Sequence, residues 1–172
     1  MSVIIGPFPG TPLREDDLVT GQVLTESASA GAEYSWDRGM AIGRYLACLQ
    51  EGRLVGCRCT ECRRILFPPR AFCEECFHPT SAWVDLADTG VIQTFAICHI
   101  AWDASRVATP TIPAVIAIDG ASPGMGLLHL IGNVSPDRVA VGMRVRAVWR
   151  PAAERQADIT DIQYFEPLEA SS

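Results

Sequence analysis

The 172-residue chain contains no lysine; all fourteen of its basic residues are arginine. Schiff-base chemistry and lysine nucleophiles are therefore excluded. Cations are also outnumbered, fourteen against twenty acidic residues for a formal charge of −6. That balance argues against a general nucleic-acid binder, whose electrostatic footprint is a basic domain. No apolar run approaches the roughly eighteen residues needed to span a bilayer, and the opening Met1-Ser2-Val3-Ile4-Ile5-Gly6-Pro7 lacks the basic stretch of a secretory signal. The seven cysteines form an odd count, which an oxidising compartment would leave with an orphan thiol. Together these absences predict a cytoplasmic protein with no membrane association.

The strongest positive feature is Cys59-Thr60-Glu61-Cys62, followed after ten intervening residues by Cys73-Glu74-Glu75-Cys76. Each C-x-x-C closes a tight knuckle that brings two sulfurs to the same side, so two such pairs can wrap four thiolates around one tetrahedral ion. Disulfide pairing or simple core filling is the alternative, and the paired spacing counts against it. The expected ligands are Cys59, Cys62, Cys73 and Cys76, and the expected ion is zinc. Four thiolates leave no open coordination position, so the zinc is structural and does not activate water. Between the knuckles, Arg63 to Phe72 reads as a short apolar strand and a Pro-Pro turn, which makes the segment a zinc ribbon. Cys48 and Cys98 fall in apolar patterns and read as buried thiols. Cys57 forms no C-x-x-C pair and stays outside the metal shell.

Around the ribbon, residues 1–36 show no sustained periodicity and read as an arm. Met40, Ile42, Tyr45, Leu46 and Leu49 recur at helical spacing, with Asp37 as N-cap and Gly52 as stop. The helix and ribbon occupy 37–80. Residues 81–168 then alternate like strands, with a four-residue tail at 169–172. The expected strands are Trp83–Leu86, one long strand from Val91 to Trp102, Pro113–Ile118, Gly126–Val134, Arg144–Trp149 and Ile159–Phe165, with a proline-bearing loop over Ala104–Pro110. So many short strands without intervening helices predict an antiparallel sheet, and closure into a small barrel removes its edges. Serine substitution at Cys59 or Cys76 is expected to cost the metal and the ribbon while leaving the barrel's strand signal largely intact.

The helix, Gly52-Arg53-Leu54, Cys59-x-x-Cys62, Phe67-Pro68-Pro69-Arg70, Cys73-x-x-Cys76 and the following tryptophan and Gly-led strand are similar to one known family. They resemble the zinc-ribbon plus OB-fold family long catalogued as domain of unknown function thirty-five, over about residues 37 to 167. The resemblance implies a mainly β protein, a rubredoxin-like zinc ribbon with a preceding helix followed by an OB-fold antiparallel barrel. It also implies a noncatalytic accessory subunit of a thiolase or thiolase-like aldolase, a hetero-oligomer in which the barrel helps bind or channel acyl-CoA while the partner performs C–C bond cleavage or formation. In one respect the chain departs from the pattern. Such ribbons often carry glycine after the second cysteine of each pair, where a left-handed backbone is needed, and here Arg63 and Phe77 stand there.

On that reading a coenzyme A thioester is a ligand shared with the partner. Arg63, Arg64, Arg144, Arg146 and Trp102 are the residues expected to contact it, because guanidinium forks match phosphate oxygens and indole rings stack on adenine. The plainer alternatives are charge compensation of the zinc thiolates for Arg63 and Arg64, a solvated strand face for Arg144 and Arg146, and barrel core for the aromatic residues. Cys98 adjoins His99, but neighbouring strand residues point to opposite faces and form no dyad, so His99 and His129 read as structural or interface residues, and Glu74-Glu75 reads as solvated surface. A different class of function, binding of single-stranded nucleic acid by a zinc ribbon and OB-fold, has the acidic net charge against it. A self-sufficient enzyme would need a nucleophile and base that the sequence does not show.

Overall fold

Residues 14–23, 31, 35–101 and 103–168 are described by a computed structural model of the chain. The chain divides into two compact units, Met1–Trp36 and Asp37–Ser172. In the first, the described structure is one short helix, α1 (Glu15–Val19), begun by an Arg14 N–H that donates to Asp17 Oδ2 at 3.0 Å. The rest of the predicted arm lies outside the described residues. Among the described residues no helix is long and apolar enough to cross a membrane.

In the second unit α2 (Gly39–Gln50) comes first. Asp37 Oδ1 accepts the Gly39 N–H at 2.8 Å, satisfying one of the donors that a helix start leaves unpaired. The helix stops as expected at Gly52, whose φ of 78° turns the chain left-handed. Gly52 N–H then reaches Leu49 O and Arg53 N–H reaches Cys48 O, the paired bonds of a Schellman cap. Tyr45, Cys48 and Leu49 form the buried face, whereas Met40 and Ile42, expected on it, are exposed. They occupy the first turns, before the helix has reached the ribbon.

The ribbon sheet has the order β2-β1-β3, from β1 (Leu54–Cys59), β2 (Ile65–Leu66) and β3 (Thr80–Leu86). β3 pairs with β1 along its length, Leu54 opposite Leu86 and Cys57 opposite Trp83, so the strand around Trp83 belongs to the ribbon sheet.

The barrel is built from β4 (Thr89–Phe95), β7 (Pro113–Ile118), β8 (Leu127–Leu130), β9 (Arg144–Trp149) and β10 (Ile162–Pro167), in the order β10-β9-β4-β7-β8. Its two ends meet in a parallel bridge between Ile131 and Phe165, backed by Gly132 N–H donating to Phe165 O at 2.9 Å. Four antiparallel pairings closed by one parallel contact are the connectivity of an OB-fold.

The long strand expected from Val91 to Trp102 is broken. It ends at Phe95 and resumes as β5 (Cys98–Ile100), which pairs with β6 (Arg106–Thr111) in a separate two-stranded sheet. Ala96 donates to Pro113 O, but the proline nitrogen has no hydrogen to return, so the ladder lapses there. The expected loop over Ala104–Pro110 is accordingly mostly strand. Pro110 is compatible with pairing because β6 is an edge.

One core runs through ribbon and barrel. Leu54, Leu66 and Phe67 belong to the same buried cluster as Ile92, Ile116, Val145 and Phe165, and Tyr45 meets the Phe67 ring edge-on at 5.8 Å. Polar bolts reinforce the junction. Ile65 N–H donates to Ser122 Oγ at 2.8 Å and Ser122 N–H returns to Ile65 O at 3.0 Å. Arg155 lies over the Trp149 ring at 5.5 Å and donates Nη1–H to Gln50 O at 3.4 Å.

Candidate metal centre and barrel seam

The two knuckles bring four sulfurs together. Sγ of Cys59 and Cys76 are 3.4 Å apart, Sγ of Cys62 and Cys73 are 3.6 Å apart, and all four lie within 4.8 Å of one another. Sulfurs around a tetrahedral zinc at about 2.3 Å stand roughly 3.8 Å from each other, so the donor set fits zinc in chemistry and spacing. Cys57 is buried and outside this group.

Arg63 and Phe77, the residues standing where glycine is common, have φ of 62° and 58°. Each turns the next amide back on its cysteine. The Arg64 N–H bonds the Cys62 sulfur and favours its thiolate, but burial and the three neighbouring sulfurs push that thiol up to about 12, whereas the His78 N–H bonds the Cys76 sulfur and is the foremost cause of a Cys76 pKa below the ordinary thiol value. A lowered thiol pKa favours the thiolate that a metal requires. The left-handed strain at these two residues is thus tied to the metal site, at a cost of about 1–2 kcal/mol each.

Arg64 is committed to the second knuckle. It pairs with Glu74 at 3.2 Å and with Glu75, while Arg70 reaches Glu74 at 3.3 Å. The acidic pair expected to be mere solvated surface therefore clamps one knuckle to the other. Arg63 has no hydrogen bond or ion pair among the described residues and is exposed. On β9, Arg144 and Arg146 share the outer face and each holds a carboxylate, Arg144 bidentate on Asp119 at 2.8 and 2.6 Å and Arg146 on Glu166 at 3.0 and 2.8 Å. Arg144 is the foremost cause of an Asp119 pKa below the usual carboxylate range. Trp102 lies outside the described residues.

Arg146 and Glu166 also line a polar groove of about 710 Å³ with Asn133, Ser135 and Arg138. The place of Arg138 in this groove follows from the barrel's closure and not from sequence spacing. On the other side of the Ile131–Phe165 bridge is an apolar slot of about 510 Å³, walled by Leu128 and Leu130 of β8 and by Ile159, Thr160 and Ile162. The wall formed by Ile159 and Thr160 is set by Asp161, a carboxylate only 1% exposed. Its oxygens accept from Gln156 N–H at 2.8 Å and Asp158 N–H at 3.2 Å.

His129 sits in the same seam, its ring 5.7 Å from that of Phe165. Nδ1 accepts the Leu130 N–H at 2.9 Å and Nε2–H faces Ile159 O at 3.4 Å, a pattern that only the neutral ring satisfies. Burial holds its pKa below the ordinary histidine value. A depressed histidine pKa contributes stability that is present above the unfolded value of 6.5 and is lost as pH falls through the lower folded value. Denaturant melts should therefore show wild type losing more stability than His129→Gln on going from pH 7 to pH 5. Equal losses would remove His129 from the acid response.

Residues 49–80 match the family model of the rubredoxin-like zinc ribbon domain of ChsH2, and residues 83–150 match that of the ChsH2 C-terminal OB-fold domain. A DUF35 domain-containing scaffold protein of Methanocaldococcus jannaschii is 30% identical over 119 residues, covering 67% of this chain and 82% of the relative. A probable enoyl-CoA hydratase alpha subunit of Thermomonospora curvata is 27% identical over 105 residues, 60% of this chain and 31% of that one. Among solved structures, the Ltp2–ChsH2 (DUF35) aldolase shares the fold at a TM-score of 0.57 and 21% identity, covering 78% of this chain and 98% of that one. With the cysteine cluster, the closed barrel and these likenesses together, the chain belongs to the DUF35 family of zinc-ribbon and OB-fold proteins.

Proposed function

We propose that this chain is an accessory subunit of a thiolase or thiolase-like aldolase, holding acyl-CoA for a partner whose own residues make or break the C–C bond. Family membership carries the reading. The archaeal relative is described as a scaffold protein, and the structure sharing the fold is that of an aldolase containing a DUF35 chain. The four cysteines, Cys59, Cys62, Cys73 and Cys76, are the proposed zinc ligands. Bound zinc supplies rigidity to the knuckles and, with its four positions filled by thiolate, no site for substrate.

For the coenzyme's phosphates the polar groove is the best-supported place. Arg146 and Arg138 both line it beside Glu166, which holds Arg146 and accepts the Asn133 amide at 2.8 Å, while the Ser135 hydroxyl donates to Asp137. Arg63 is open to solvent and available to a phosphate or to the partner. Arg64, Arg144 and Arg146 would each have to exchange a carboxylate for a phosphate, which leaves Arg138 and Arg63, in no ion pair among the described residues, as the stronger candidates. Against nucleic acid, the slot walls carry aliphatic side chains in place of the aromatic platforms on which bases stack.

The test is reconstitution. The chain alone should not turn over acyl-CoA, and adding it to its purified thiolase-like partner should raise kcat/KM for acyl-CoA by tenfold or more. Turnover by the chain alone, or a partner indifferent to its presence, would contradict the accessory role.

A further inference from the structure

The four sulfurs of the metal centre are not equally sheltered. Cys59 and Cys73 are 1% and 0% exposed and belong to the buried core, Cys76 is half-buried, and Cys62 stands at the surface. With an ion bound all four are thiolates, so access and not acidity ranks their reactivity. Cys62 is therefore the sulfur that a small dissolved oxidant meets first. Cys73 Sγ lies 3.6 Å from it on the other knuckle, just as Cys76 Sγ lies 3.4 Å from that of Cys59. A sheltered thiolate is thus in place to resolve any adduct formed on Cys62.

We propose that Cys62 and Cys73 form a peroxide-sensitive pair whose reversible oxidation empties the metal site. In the first step Cys62 Sγ attacks one oxygen of hydrogen peroxide. An S–O bond forms, the O–O bond breaks and hydroxide leaves, so the sulfur is oxidised by two electrons and the peroxide reduced. In the second step Cys73 Sγ attacks the sulfenic sulfur of Cys62, an S–S bond forms, the S–O bond breaks and a second hydroxide leaves. Two thiolates and one peroxide become one disulfide and two hydroxides. Half of the donor set is then lost, and Cys59 with Cys76 cannot fill a tetrahedral shell. The knuckles stay together meanwhile, because Arg64 reaches from the first to Glu74 and Glu75 of the second and the new disulfide also joins them. Reduction by a dithiol therefore regenerates the donors in place. Cys57, buried and outside the sulfur cluster, takes no part. The inference rests on the zinc reading of the four cysteines and is independent of the acyl-CoA reading.

The test exposes the zinc-loaded full chain to hydrogen peroxide at neutral pH. Zinc release is followed with a colorimetric chelator, and the oxidised cysteines are mapped by mass spectrometry after the remaining thiols are alkylated. Cys98, half-buried on β5 and outside the cluster, serves as the internal reference. Zinc should leave in step with formation of the Cys62–Cys73 disulfide, at least about threefold faster than Cys98 is oxidised. Dithiothreitol with added zinc should then restore the metal content. Zinc retained while Cys98 oxidises, a first disulfide that omits Cys62, or a loss that dithiothreitol and zinc do not reverse overturns the proposal and leaves the zinc reading standing. A freshly isolated chain that holds no zinc and takes none up overturns the zinc reading and the proposal with it.

Discussion

Cys59→Ser should destabilise the entire Asp37–Ser172 unit and not the ribbon alone. Sequence reasoning treated the ribbon as a separable module whose collapse would spare the barrel. The fold gives a different expectation because Leu54, Leu66 and Phe67 of the ribbon belong to the same buried cluster as Ile92, Ile116 and Phe165 of the barrel. The Ile65–Ser122 pair of hydrogen bonds, 2.8 and 3.0 Å, ties the ribbon to the turn between β7 and β8. Loss of one thiolate should cost on the order of 5 kcal/mol of the metal's contribution to folding. For a unit of this size about 2–4 °C accompanies each kcal/mol, so the melting temperature should fall by roughly 10–20 °C. Strand circular dichroism and zinc content, followed on the same sample, should be lost in one transition. A variant that releases zinc yet keeps a barrel melting at the wild-type temperature would show that the two parts fold independently.

The second large effect is expected at Asp161, a residue far from the cysteines and absent from any sequence motif. Its buried carboxylate accepts from Gln156 N–H and Asp158 N–H, while Asp158 Oδ1 accepts the Thr160 N–H at 2.9 Å. The reciprocal bonds make a capping box that folds the loop between β9 and β10 into the slot wall. Asp161→Ala leaves two amides of a partly buried turn without acceptors, at about 1–3 kcal/mol apiece, so a total loss of about 2–6 kcal/mol is expected in urea unfolding. Asp161→Asn keeps one acceptor oxygen and should recover about half. A shift of the unfolding midpoint worth less than about 0.5 kcal/mol, the size of a neutral surface substitution, would deny the loop this dependence.

Legibility in the sequence followed the range of the interactions. The knuckles were readable because each depends on residues within a few positions. The left-handed positions that follow each knuckle are local in the same way, and Arg63 and Phe77 there have φ of 62° and 58°. The helix stop at Gly52 is equally local. Strand positions were readable from β-branched runs, but the break after Phe95 depends on Pro113 lying opposite Ala96, a pairing set by the turn far downstream. The partners of Arg64, Arg144 and Arg146 were illegible for the same reason. Spacing on β9 shows that Arg144 and Arg146 share a face, but not that Asp119 and Glu166 arrive beside them. His129 reads from the sequence as a structural or interface residue, and its seat in the barrel seam appears only once β8 is brought against β10.

The measurement that bears most directly on the account is native mass spectrometry of the tagged chain isolated from its own host, with and without octanoyl-CoA. The account predicts a stoichiometric complex with a thiolase-like subunit, one zinc per copy of this chain, and retention of the acyl-CoA by the complex. A chain recovered alone with its zinc, binding oligonucleotides and ignoring acyl-CoA, would contradict it.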